Sequence, residues 1–245
     1  ETSMNEAEDE ALPIILCIAG FGDNADMFTG LKQTPLAHLY RLMPINLPGF
    51  GAPPLEQETT LQGLADYVCT RAKECGSEIV LAHSVASIVA SLAAQRSGHP
   101  IERILSMEGN ITSEDAYFSG TAADFANHET FRASFLARLD DMALSAPIIA
   151  RYRSAVAQAD PLALWQLGRD ARYFSDRVVP GEVLATSASV TYFYNPENCP
   201  ETTLKWLEEN PMERRILPDA SHWASVDQPE LLANMIAMSL DTTSG

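Results

Sequence analysis

The residues of this chain whose types and spacing could do chemistry are one serine, one histidine and a short choice of carboxylates. Ser84 lies in the stretch EIVLAHSVASIV, where an apolar run at 78–82 with strand character gives way to helix formers and small residues at 85–94. A serine hydroxyl is a poor nucleophile until a base takes its proton, and an imidazole does this well only when a carboxylate fixes its tautomer. A serine lifted on a tight strand-to-helix turn, with small Ala82 and Ala86 on either side, therefore asks for a histidine and an acid. The plainer reading is a serine capping an ordinary helix. Of the five histidines, His222 stands between the last apolar strand pattern, 214–218, and the last amphipathic helix pattern, 229–240. His38, His99 and His128 read as exposed loop or helix residues, and His83 as a supporting neighbour of the serine.

Two carboxylates compete for the third place. Glu108 closes the strand pattern 101–107 (IERILSM), and a glutamate after a run of apolar and small strand residues is costly to bury without a partner. Glu197 lies in the loop YNPENCP, where it serves either as the acid or as an exposed loop residue. Glu108 is favoured. Asp115 is a weaker candidate within the next helical stretch, and Asp219 and Asp227 are close enough to His222 in sequence to shape its loop.

These residues need a scaffold, and the chain alternates strand and helix patterns as a βαβ-wound protein does. A buried strand at 13–19 breaks at Gly20, before GFGDNADMF. A strand at 39–47 runs into PGFGAPP, and a helix at 61–75 sets Leu61, Leu64, Ala65, Val68 and Ala72 on one face. The strand that leads into Ser84 and the strand ending at Glu108 follow. From 112 to 180 strand character disappears, leaving helical stretches at 129–139, 145–157 and 161–173. It returns at 189–194, followed by a helix at 202–209 and the strand and helix that flank His222. The fold class is thus α/β, a mostly parallel doubly wound sheet.

The order and detail of these landmarks resemble the α/β-hydrolase superfamily over residues 13–240. Ala82-His83-Ser84-Val85-Ala86 resembles its nucleophile elbow, G-x-S-x-G, with both glycines replaced by alanine. The segment SHWASVDQPE is similar to the family's G-H-W or G-H-F ending, and NLPGFG to its D-x-P-G-x-G loop, with Asn46 where many members carry Asp. The resemblance implies that Ser84 is the nucleophile, His222 the base, and the amides of Phe21 and Val85 the oxyanion hole. Its usual acid, an Asp after the seventh strand, is absent from the loop that holds Glu197. A glutamate closing the sixth strand, as in many haloalkane dehalogenases, matches Glu108. It further implies a hydrolase core at 11–111 and 181–241, a helical cap at 112–180 inserted after the sixth strand, and a sheet that starts at the family's third strand. Phe118, Phe125, Phe131, Phe135, Tyr152, Trp165 and Tyr173 would fill the cap or line the pocket beneath it.

Composition narrows the partners. A net charge of −17 over 245 residues opposes binding to nucleic acid or anionic membrane, since phosphates would be repelled. No apolar run is long enough to span a bilayer, and the acidic opening ETSMNEAEDE reads as a trimmed or frayed terminus. The four cysteines are scattered, as reduced thiols of a cytoplasmic protein would be. No histidine or cysteine pair has ligand spacing, and no glycine-rich phosphate cradle occurs, so neither metal nor cofactor is expected. The resulting expectation is a serine hydrolase cleaving a small or medium apolar ester, lactone or thioester through an acyl-enzyme on Ser84. The alternatives on the same scaffold are a carbon–carbon bond hydrolase, a lyase, or a non-catalytic ligand-binding member.

Overall fold

Continuous apolar runs build the centre of the molecule, because a parallel strand covered on both faces has no solvent side on which to place polar residues. The computed structural model describes residues 12–241; the acidic opening segment and the first residue of the expected core lie outside them. Strand β1 (Ile14–Ile18) is followed by single 3-10 turns and then β2 (Arg41–Ile45), with β3 (Leu47–Pro48) and β4 (Gly51–Ala52) forming a small turn. Helix α1 (Leu61–Cys75) begins where the Thr60 hydroxyl accepts the Gly63 amide at 3.0 Å and ends at Gly76, whose φ of +67° suits a residue without Cβ. Strand β5 (Ile79–His83), helix α2 (Ala86–Ala93) and strand β6 (Arg103–Met107) complete the first half.

After β6 the chain runs through 3-10 turns into α3 (His128–Ala143), α4 (Ile148–Gln158) and α5 (Pro161–Ser175). Helix α6 (Pro180–Ser187), which the sequence pattern did not reveal, leads back to β7 (Ser189–Tyr194). Helix α7 (Glu201–Glu209), strand β8 (Glu213–Ile216), the short α8 (Ala224–Asp227) and α9 (Pro229–Asp241) close the fold. Among the described residues no helix is long and apolar enough to cross a membrane.

All six strands of the main sheet are parallel, in the order β2-β1-β5-β6-β7-β8. The chain winds outward from β1 to β2 and then crosses to β5, so the direction of winding reverses between β1 and β5. Such a switch point leaves a crevice at the carboxyl ends of the strands, where α/β sheets bind ligands. The loops after β1 and β5 flank it. Register carries the alignment onward: His83 pairs with Met107 and Met107 with Phe193, so Ser84 and Glu108 each stand one residue past paired positions. The ladder persists through them, with the Ser84 amide donated to the Met107 carbonyl at 3.0 Å and the Glu108 amide to Phe193 at 2.9 Å.

Candidate active site

Backbone strain marks the site before any side chain is considered. Three non-glycine residues among those described have positive φ: Ser84 (+53°), Glu108 (+43°) and Asp219 (+60°). Each such residue costs on the order of 1–3 kcal/mol and persists only where its surroundings enforce it. All three follow carboxyl ends of sheet strands, after β5, β6 and β8. Ala82 and Ala86, the two alanines that flank Ser84 in the elbow, are both buried.

The structure brings Ser84, His222 and Glu108 into one place. His222 Nδ1 lies 3.0 Å from Glu108 Oε1, and His222 and Ser84 line the same cavity. The other oxygen of Glu108 accepts the Asn195 amide at 3.1 Å and the Asn198 side-chain amide at 3.0 Å. Both asparagine side chains also donate to the Ala220 carbonyl, at 2.8 and 2.9 Å, just ahead of His222. One pair of residues therefore holds both the carboxylate, through the Asn195 backbone amide and the Asn198 side chain, and the histidine loop, through both side chains. The Glu108 side chain is 4 % exposed and that of His222 13 %, so their contact is little screened by water.

Glu197 is exposed and makes no contact with His222; only its backbone amide is engaged, by Asn195 Oδ1 at 3.1 Å. Asp115 approaches the same cavity, but its Oδ2 is occupied by the Ile111 and Thr112 amides at 2.8 and 2.9 Å and the Thr203 hydroxyl at 2.7 Å. Burial pushes its carboxyl above the ordinary range, against the pull of those donors. Asp227 accepts the Ser221 amide at 2.8 Å and so shapes the histidine loop.

His83 supports the histidine from behind. Its Nε2 lies 2.8 Å from the His222 carbonyl oxygen, and the two rings are 4.5 Å apart. Burial first, and then the neighbouring His222, push its pKa well below the usual histidine value, so the ring is neutral and Nε2 carries the proton donated to that carbonyl. Phe21 lines the same cavity and Val85 follows Ser84, and no protein acceptor among the described residues takes the amide of either. Free amides beside a serine can hold a developing oxyanion.

The cavity has a volume of about 10 Å³, roughly the room of one water molecule, and is walled by Tyr117, Phe118, Tyr152 and Trp223 as well as the residues above. Of the aromatic residues expected over the site, only Phe118 and Tyr152 reach it. Phe131 and Phe135 are core residues stacked at 5.4 Å, Trp165 donates to the Phe125 carbonyl at 3.1 Å away from the cavity, and Tyr173 is 55 % exposed. Sequence reasoning missed Asn195, Asn198, Tyr117 and Trp223. The two asparagines, set where the common pattern has its acid, were the signal available for the first pair.

Residues 15–235 match the model of the alpha/beta hydrolase family. The fold is similar to that of a thermophilic esterase from Thermogutta terrifontis, with a TM-score of 0.72 at 17 % identity over 94 % of this chain and 90 % of that one. It is similar also to a hydrolase from Oleispira antarctica (TM-score 0.74, 15 % identity, 94 % and 91 %). An esterase from Exiguobacterium antarcticum shares it as well (TM-score 0.72, 12 % identity, 94 % and 92 %). No curated protein matches the chain.

Proposed function

The chain belongs to the alpha/beta hydrolase family, and we propose on that premise that it is a serine esterase acting through Ser84, His222 and Glu108. The single observation that carries this reading is the Glu108–His222 contact at 3.0 Å, made beside a serine on a strained turn in the same small cavity. Two of the similar structures bear the name esterase, which supports the class of substrate.

In this mechanism His222 takes the Ser84 proton as the hydroxyl oxygen attacks the substrate carbonyl, and the amides of Phe21 and Val85 receive the oxyanion. Glu108 holds the imidazole in the tautomer with Nδ1 protonated and stabilises its charged form. His222 then protonates the leaving alcohol. Water, activated by the same imidazole, releases the acyl group from Ser84. Asn195 and Asn198 keep the carboxylate aimed by saturating its second oxygen. The helical segment at 112–180 acts as a cap, and Phe118 and Tyr152 limit the acyl group to a short apolar chain.

The test is direct. Purified protein should hydrolyse p-nitrophenyl acetate and be labelled by a fluorophosphonate at Ser84, and Ser84→Ala should lower turnover about a thousandfold or more with its unfolding midpoint kept. Near-normal activity in Ser84→Ala, or absence of labelling in folded protein, removes the proposal.

A further inference from the structure

We infer that Tyr152 is a positioning residue: its hydroxyl lets the cap hold the Gly20–Asp23 turn in the form that presents the Phe21 amide to the oxyanion, an inference that rests on the esterase reading above. The turn is closed by the Asp23 amide on the Gly20 carbonyl at 3.1 Å, with Gly22 at φ +76° in its third position. Positive φ there, with Phe21 not at positive φ, fits a type II turn, which differs from type I by a flip of the central peptide, here Phe21–Gly22. The Tyr152 hydroxyl donates to the oxygen of that peptide and so favours one orientation. The flip itself pivots about the Phe21 and Gly22 Cα atoms; the hydroxyl acts on the Phe21 amide by tethering the carbonyl of the same residue and so fixing where that residue sits.

Helix α4 supplies three of the holding contacts, through Arg151, Tyr152 and Val156. Next to Tyr152, the Arg151 guanidinium pairs with the Asp23 carboxylate, whose side chain is wholly buried. One helical turn on, Val156 closes over Gly22, where a Cβ would come within 2.9 Å of its Cγ2. Gly22 is thus required twice, by its backbone angle and by the approach of the cap. The Phe21 ring meanwhile packs into the cap, 5.8 Å from Phe135. Burial pushes the Tyr152 hydroxyl well above the usual phenol range, so it remains a donor at any working pH. The oxyanion amide therefore has its geometry set from the cap side, although it belongs to the core. Misplacing a reacting group by an ångström costs up to about a hundredfold in rate.

The experiment is Tyr152→Phe, which keeps the ring and its packing 4.9 Å from Trp223 while deleting the donor. With p-nitrophenyl acetate, kcat should fall about 10- to 100-fold and KM change less than about twofold. The affinity for phenylboronic acid, which forms a tetrahedral adduct on the serine, should weaken by the same factor as kcat. An unchanged kcat and boronate affinity in the variant, with active wild type, overturns this inference and leaves the esterase reading standing. A loss confined to KM, or a loss explained by fewer active sites on fluorophosphonate titration, also overturns it, since Tyr152 would then act through binding or folding alone. A wild-type protein without turnover or labelling overturns both.

Discussion

Glu108 meets His222 Nδ1 at 3.0 Å from a backbone at φ +43°, an angle that a β-strand glutamate would not adopt without enforcement. The strain turns the side chain out of the strand's alternation and towards the histidine. Its second oxygen is satisfied by Asn195 and Asn198, so removing the charge touches three partners at once. Glu108→Gln is expected to lower kcat by about a thousandfold or more, the scale found when the orienting carboxylate of a triad is neutralised. Glu197→Gln, altering an exposed side chain, should stay within about twofold. Steady-state kinetics on both variants decides it, and a large loss at Glu197 with little at Glu108 would move the acid back to the loop after β7.

The elements carrying this constellation were legible because each has a local signal. Helix α1 and strand β7 match their predicted bounds to the residue, and α5 was expected from the same first residue, since apolar periodicity and caps are written within one segment. Ser84 and His222 were readable for the same reason, as each sits at a junction between two patterned segments. Glu108 was readable from a physical conflict, an acid at the end of a buried strand. Helix α6 was hidden by its short length and the small residues at its end. The contacts of Asp23 with Arg151 and of Phe21 with Tyr152 join residues more than a hundred positions apart, and nothing local announces them. The cavity's walls were not legible either: the sequence offers Trp165 and Phe118 alike as cap filling or pocket lining, and only tertiary packing separates them.

Gly109 predicts a coupling between packing and chemistry. A Cβ built there would come within 2.2 Å of Ser87 Oγ and 2.3 Å of Ser106 Oγ, two hydroxyls hydrogen-bonded to each other at 2.8 Å beneath the elbow helix. Gly109→Ala must push α2 and β6 apart or displace its neighbour Glu108. The expected result is a loss of about 1–3 kcal/mol in denaturant unfolding together with a fall in kcat. Unaltered stability would mean that the strands relax freely at this point.

The walls of the cavity predict which aromatic residue selects the acyl group. Phe118 lines it and packs against Tyr117 at 4.7 Å, whereas Trp165 packs away from it. Phe118→Ala should move the preferred p-nitrophenyl ester towards longer chains at a cost of about 3 kcal/mol in stability. Trp165→Ala should destabilise the protein and leave the chain-length profile unchanged. A shifted profile in the Trp165 variant, with none in the Phe118 variant, would reverse their assignments.

The Arg151–Asp23 pair predicts a dependence of stability on pH that can be introduced by one substitution. Burial is the largest influence on Asp23 and raises its pKa above the ordinary carboxylate value, while Arg151 and the Asn24 amide pull it down. In Arg151→Met the attraction of Arg151 is gone and the folded-state pKa rises further. The native state then keeps a proton that the unfolded chain has already released, so stability falls as pH rises from the ordinary carboxylate value through the new folded-state value, and levels off above it. Wild type shows the same sign over a narrower window. At neutral pH the variant should be about 3 kcal/mol less stable than wild type, as expected when one partner of a largely buried pair is removed. Adding Asp23→Asn takes away the stranded charge while the Asn24 amide, 2.8 Å from the Asp23 side chain, retains an acceptor. The double variant should recover most of the loss and show no such slope. Unfolding titrations at pH 5 and pH 8 on the three proteins measure this. A gap that is equal at both pH values, or a double variant as unstable as the single one, would mean that Asp23 is not left unpaired when Arg151 is lost.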